Sequence, residues 1–92
     1  MSDIKSTLDE RGTRYGDFRA HAKVTQDFKS VLMDALASRD KVLPDIQQEA
    51  LEMIFHKVGR IINGDNNYAD SWHDIAGYAT LVEGDLDREE DV

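Results

Sequence analysis

From Phe18 to Leu86 the apolar residues recur three and four positions apart, with no stretch of strict alternation. That period builds helices and leaves no material for a sheet. Phe18, His21, Val24, Thr25, Phe28, Val31, Leu32, Ala35 and Leu36 predict a helix of about 20 residues, entered from Asp17 as N-cap. Residues 37–43 form a polar break, and Pro44 suits the first turn of a second long helix. This helix should run to about Asn63, with Gly64 at its C-terminal cap. Asp65-Asn66-Asn67 is a turn cluster, after which a last helix begins near Ala69 and decays beyond Leu86. Upstream, Ser2 or Asp3 caps a short helix carrying Ile4 and Leu8 that Gly12 would end. The expected fold is all-α: three main helices plus a short N-terminal one, in a single domain over 1–86, followed by an acidic tail, 87–92.

Ninety-two residues make a small domain that buries a modest share of its surface, and the absence of cysteine removes disulfides and thiolate zinc sites as reinforcement. Helix packing and self-association are the remaining sources of extra stability, so a homo-oligomer, dimer or higher, is expected. The net charge is −8, and the stretch 83–92 carries six acids against one arginine. Without a basic patch, binding of nucleic acid through phosphate contacts is not expected. No apolar run is long enough for a bilayer, and residues 1–15 lack a signal-peptide core, so the expectation is a cytoplasmic protein away from membranes.

The two long C-terminal helices each have two faces. At about 100° per residue, Leu51, Ile54, Val58, Ile61 and Ile62 share one side of the first, and Glu49, Glu52, His56, Arg60 and Asn63 line the other, with Gly59 beside them and Lys57 flanking. An ordinary solvent face carries lysines and glutamates; His, Gly, Arg and Asn in line hint at a site. On the last helix Trp72, Ile75, Ala79, Val82 and Leu86 form an apolar face, while Asp70, Asp74, Gly77 and Leu81 form another, with Tyr78 at its edge and Leu81 expected to be partly buried. Aspartates facing a neighbouring helix need a countercharge. Lys57 and Arg60 supply one without any metal. Alternatively, Glu49 and Glu52 facing Asp70 and Asp74 suit Mg²⁺, which prefers carboxylate oxygens, with Lys57 and Arg60 on substrate phosphates. Tyr15 or Tyr78 would stack on a base. Nucleophilic catalysis finds no support: there is no cysteine and no serine elbow, and His21, His56 and His73 lie on different helices or faces without zinc spacing.

The string Glu49-Ala-Leu-Glu52, followed after a helix end and loop by Asp70-Ser-Trp-His-Asp74, resembles the acidic pattern of MazG-like all-α nucleoside triphosphate pyrophosphohydrolases. In that superfamily a Glu-x-x-Glu pair and a Glu-x-x-Asp pair on successive helices bind Mg²⁺, which positions the water that releases pyrophosphate, and the chains assemble as dimers or tetramers. The resemblance implies metal ligation by Glu49, Glu52, Asp70 and Asp74, and catalytic or substrate contacts from Lys57 and Arg60. The strings Tyr15-Gly16-Asp17-Phe18, His56-Lys57-Val58-Gly59-Arg60-Ile61, Asn63-Gly64-Asp65 and Asp70 through Tyr78 also resemble small phage and prophage proteins of unassigned function over roughly residues 11–83.

The pattern departs from the enzymes at Ser71, which stands where the third acid belongs, at Asp70, which is one residue out of register, and at Gln47 and Gln48 before Glu49. Three functions follow: a Mg²⁺-dependent nucleotide pyrophosphohydrolase; a non-catalytic oligomer that binds a nucleotide or blocks a host-defence protein; and an acidic module that engages a host protein.

Overall fold

The computed structural model describes residues 3–90, which form four helices: α1 (Ile4–Tyr15), α2 (Phe18–Ser38), α3 (Asp45–Asn63) and α4 (Ala69–Glu90). No strand occurs among the described residues. Asp3 caps α1 by accepting the Ser6 N–H at 2.8 Å. Ser2, the other cap candidate, lies outside the described residues. Contrary to expectation, Gly12 does not end α1; the helix continues to Tyr15 and stops at Gly16, whose φ of 81° leaves the helical region. One turn of main-chain bonding outweighs the roughly 1 kcal/mol that a mid-helix glycine costs. Asp17 caps α2 by accepting the Ala20 N–H at 3.1 Å, as its place in the sequence indicates. The Arg39 guanidinium donates to the Ala35 carbonyl at 2.9 Å near the C-terminus of α2, where a cation is favoured.

Pro44 is the N-cap of α3, and Gly64 closes it, donating its N–H to the Arg60 carbonyl. The Asp65 side chain then accepts the Asn67 N–H at 2.9 Å, and the Trp72 indole N–H donates to the Asn66 carbonyl at 3.0 Å, fixing the entry into α4. This last helix runs through Glu90, past the decay point expected after Leu86.

Helix α3 is the centre of the arrangement. It packs on α4 along one side and on α2 and α1 along the other, and α4 touches no other helix. Phe28 of α2 meets Phe55 of α3 with ring centroids 5.5 Å apart. Leu51 and Ile54 face Ala79, Val82 and Leu86 across an apolar groove of about 350 Å³ between α3 and α4.

One chain closes this arrangement incompletely. Among the described residues Ala50 is the only buried apolar side chain, while Ile62, Trp72 and Leu81 are more than half exposed. Leu81, expected to be partly buried, is 64% exposed because no element among the described residues covers that side of α4. The radius of gyration is 15.9 Å; a compact domain of this length has about 12 Å. The accessible surface is 6940 Å², against about 5,400 Å² for a compact monomer of this mass.

Candidate functional site

The close crossing of α2 over α3 builds the site. It is set at Gly59, where a Cβ would stand 2.9 Å from both the His21 ring and Thr25 Oγ1. Without a side chain there, His21 reaches α3 and is buried, only 6% exposed. Its Nε2 lies 3.2 Å from His56 Nδ1, and the rings meet edge to face at 4.6 Å. Thr25 Oγ1 closes the group at 3.4 Å from His21 Nε2. Burial lowers both imidazole pKa values. For His56 the drop is to about 4, with the positive charges of Arg60, Lys57 and Lys29 and the neighbouring His21 adding to burial. At neutral pH the two rings are therefore an uncharged donor–acceptor pair.

This shift gives the fold an acid dependence. The folded His56 pKa lies below the ordinary value near 6.5, so the unfolded chain takes up the proton first. The contribution is complete above about 6.5 and is lost as the pH falls toward about 4. Discounted for the solvent that reaches this ring, the loss is about 1–2 kcal/mol. Urea unfolding at pH 7.5 and pH 5 should show a decline that His56→Gln reduces; equal declines in the two proteins would exclude His56 as the cause.

Above the histidine pair a cleft of about 460 Å³ opens between α1, α2 and α3, a volume suited to a small organic ligand. Leu8, Tyr15 and Phe18 supply its apolar wall, and Arg11, Asp17 and Arg60 its charged groups. The Arg60 guanidinium lies 4.1 Å from the centre of the Tyr15 ring. Tyr15 in turn meets Tyr68 edge-on at 6.1 Å, and Arg14 covers the Tyr68 ring at 4.7 Å. The α1–α2 turn is held against the end of α3 by backbone contact: the Asp65 N–H donates to the Arg14 carbonyl at 2.6 Å, and Gly16 abuts Asn63.

The sequence-derived candidates separate into groups. Tyr15 and Arg60 come together in the cleft. Tyr78 does not join them; it lies with His73, Asp74 and Leu81 along α4. Lys57, buried, donates to Asp74 at 3.1 Å, so the countercharge arrangement holds for this pair and Lys57 is turned away from the cleft chemistry. Glu52 is half-buried and accepts from the Gln48 amide at 2.7 Å, while Glu49 is exposed. Asp70 is exposed beside Tyr68, whose hydroxyl pKa it raises by hydrogen bonding. Ser71, in the place of the third acid, is 4% exposed. Glu49, Glu52, Asp70 and Asp74 do not converge within one chain; among the described residues no group of three or more His, Asp or Glu side chains is placed to hold a metal ion. Sequence reasoning missed Arg11, Phe18 and the pairing of His21 with His56. The visible signal was Gly59 in line with His56 and Arg60, a small residue where another backbone or side chain comes close.

Fold and site thus define an all-α protein with an arginine- and aromatic-lined cleft. The chain belongs to the family described as a domain of unknown function (DUF6378), whose family model matches residues 3–85. That span contains the cleft and both carboxylate pairs. Neither the curated proteins nor the solved structures give a match. No helix among the described residues is long and apolar enough to cross a membrane.

Proposed function

We propose that the chain is a nucleotide-binding protein of the MazG-like kind that works as a homo-oligomer. The cleft over the His21–His56 pair carries this proposal. It combines aromatic faces at Tyr15 and Phe18, an uncharged hydrogen-bonding floor, and the Arg11 and Arg60 guanidinium groups. Aromatic rings and guanidinium planes stack on bases, and arginine binds phosphate through paired N–H groups. The MazG-like resemblance of Glu49-Ala-Leu-Glu52 and Asp70-Ser-Trp-His-Asp74 points to the same ligand class. Oligomerisation is supported by an excess of roughly 1,500 Å² over a compact monomer's surface, about what one partner contributes to an obligate dimer interface.

Mg²⁺-dependent pyrophosphohydrolysis is the second reading, favoured by Glu49 and Glu52 standing one turn apart on the helix that also carries Arg60. Their oxygens fit a hard cation that binds through one or two carboxylates, waters and substrate phosphates. When bound, the ion would neutralise phosphate charge. Asp74 is already neutralised by Lys57, so further carboxylates would come from a second copy.

Calorimetric titration of a nucleotide panel, with Mg²⁺ and with chelator, tests both readings. Arg60→Ala and Tyr15→Ala should each weaken nucleotide binding at least about tenfold, equivalent to about 1.4 kcal/mol. Product analysis with Glu52→Gln separates the two: release of monophosphate and pyrophosphate that this change abolishes supports the enzyme, and binding that persists in chelator without turnover supports the binding module. Absence of binding across canonical, deoxy and modified nucleotides would refute both.

A further inference from the structure

Resting on the nucleotide reading, we infer that the groove adjoining the cleft is a polyphosphate subsite, built by Arg11 and Arg14 of α1, Arg60 of α3 and the Tyr68 ring, which takes ligands carrying two or more linked phosphates. The groove has a volume of about 410 Å³ and is continuous with the cleft, since Arg11, Tyr15 and Arg60 line both. One cavity is mostly aromatic and apolar at its wall; the other is lined by three arginines against the single carboxylate of Glu10. Such a concentration of arginine is unexpected in a chain of net charge −8 with 19 acidic residues to pair them.

The pairing pattern sharpens the point. Among the described residues neither Arg11 nor Arg60 has a carboxylate within 4 Å, and Arg14 has only Glu10 at 3.7 Å, with both side chains open to solvent. An ion pair of that length and exposure is worth little and yields readily to a phosphate. Arg60 and Arg14 lie over Tyr15 and Tyr68, and those two rings meet edge-on, so two guanidinium groups are seated on one aromatic pair. Stacking holds the guanidinium plane while leaving its N–H edge to donate, a geometry that suits bidentate contact with phosphate oxygens. The base would occupy the cleft over the histidines, and the phosphate chain would cross Arg60 into the groove. Affinity then grows with the number of phosphates.

The experiment is a calorimetric series on the full chain with nucleoside, nucleoside monophosphate, nucleoside triphosphate and inorganic tripolyphosphate, repeated on Arg14→Gln and Arg14→Lys. Arg14 lines the groove and not the cleft, and its side chain is exposed, so both variants should melt near the parent temperature. The triphosphate should bind at least tenfold more tightly than the monophosphate, and tripolyphosphate should compete with it. Arg14→Gln should remove about tenfold of triphosphate affinity with nucleoside binding unchanged, and Arg14→Lys should restore part of it. Nucleotide binding indifferent to phosphate number and to Arg14 would overturn the subsite and leave the nucleotide reading standing. Tripolyphosphate binding without any nucleoside or nucleotide preference would do the reverse, supporting a polyanion site and removing the base from the cleft. No binding of any of the four overturns both.

Discussion

Gly16→Ala is expected to destabilise the protein by about 3–5 kcal/mol, a large part of the roughly 5–14 kcal/mol available to a chain of this length. Two independent costs contribute. The backbone at Gly16 sits at φ 81°, ψ −170°, a region essentially closed to L-residues and costing about 1–3 kcal/mol to enter. A methyl group there would also fall inside the Asn63 carbonyl, with backbone and not a pliable side chain in the way. Overpacking of that kind adds about 1–3 kcal/mol. The same junction is tight from its other side, because a Cβ on Gly64 would overlap the Arg14 carbonyl and the Tyr15 backbone. Gly12→Ala is the control: its Cβ would meet nothing within 4 Å, and a helix interior prefers alanine by about 1 kcal/mol. Urea unfolding of the three proteins without ligand should therefore rank Gly12→Ala above the parent and Gly16→Ala far below it. A Gly16→Ala loss under about 1 kcal/mol would show that the α1–α2 turn is not seated on the end of α3. Since Tyr15 and Arg60 meet across this junction, the variant should also lose the cleft.

That junction shows where the chain's own pattern stops being informative. Asp17 and Gly64 are legible as caps because a cap is a local event, decided within four residues by a side-chain oxygen or a missing Cβ. Gly12 misleads for the same reason. Whether a helix stops at one glycine or the next is settled here by Asn63, nearly fifty residues downstream, against which only Gly16 fits. The end of α4 follows a similar rule: loss of apolar residues after Leu86 removes packing and leaves main-chain bonding intact, so the helix runs on to Glu90.

The site divides along the same line. Helical period puts His56, Arg60 and Asn63 on one stripe, and that stripe does face α1 and α2. What period cannot supply is the helix opposite. His21 reads as one more member of the α2 apolar stripe until α2 crosses α3 at Gly59, and only then do two histidines 35 positions apart become a pair. Lys57 and Asp74 are the converse: both assignments open to them in the sequence, countercharge or metal-site neighbours, use the same spacing, and the 3.1 Å contact selects the first for this pair within the chain.

In the proposed homo-oligomer, Leu81→Glu is expected to separate the copies into single chains, and the size of the effect follows from an inequality between one chain and several. In the single chain Leu81 is 64% exposed on a helix that touches only α3, so a glutamate there would change stability by no more than about 0.5 kcal/mol. If a second copy covers that side of α4, each Leu81, already about one-third covered, brings about 1–2 kcal/mol of further burial, and a two-fold interface counts it twice. The loss of about 2–4 kcal/mol would raise the dissociation constant at least about thirtyfold. Because one chain buries so little of its own apolar surface, dissociation should also lower the urea midpoint and make it depend on protein concentration. Sedimentation equilibrium of the parent should give a multiple of the 10.4 kDa chain mass, and Leu81→Glu the chain mass itself. A parent that sediments as a single chain would sink the oligomer, and with it any carboxylate supplied from a second copy. A stable oligomer unaffected by Leu81→Glu would move the interface away from this side of α4, leaving the exposed Val31 and Met33 of α2 as the next positions to charge.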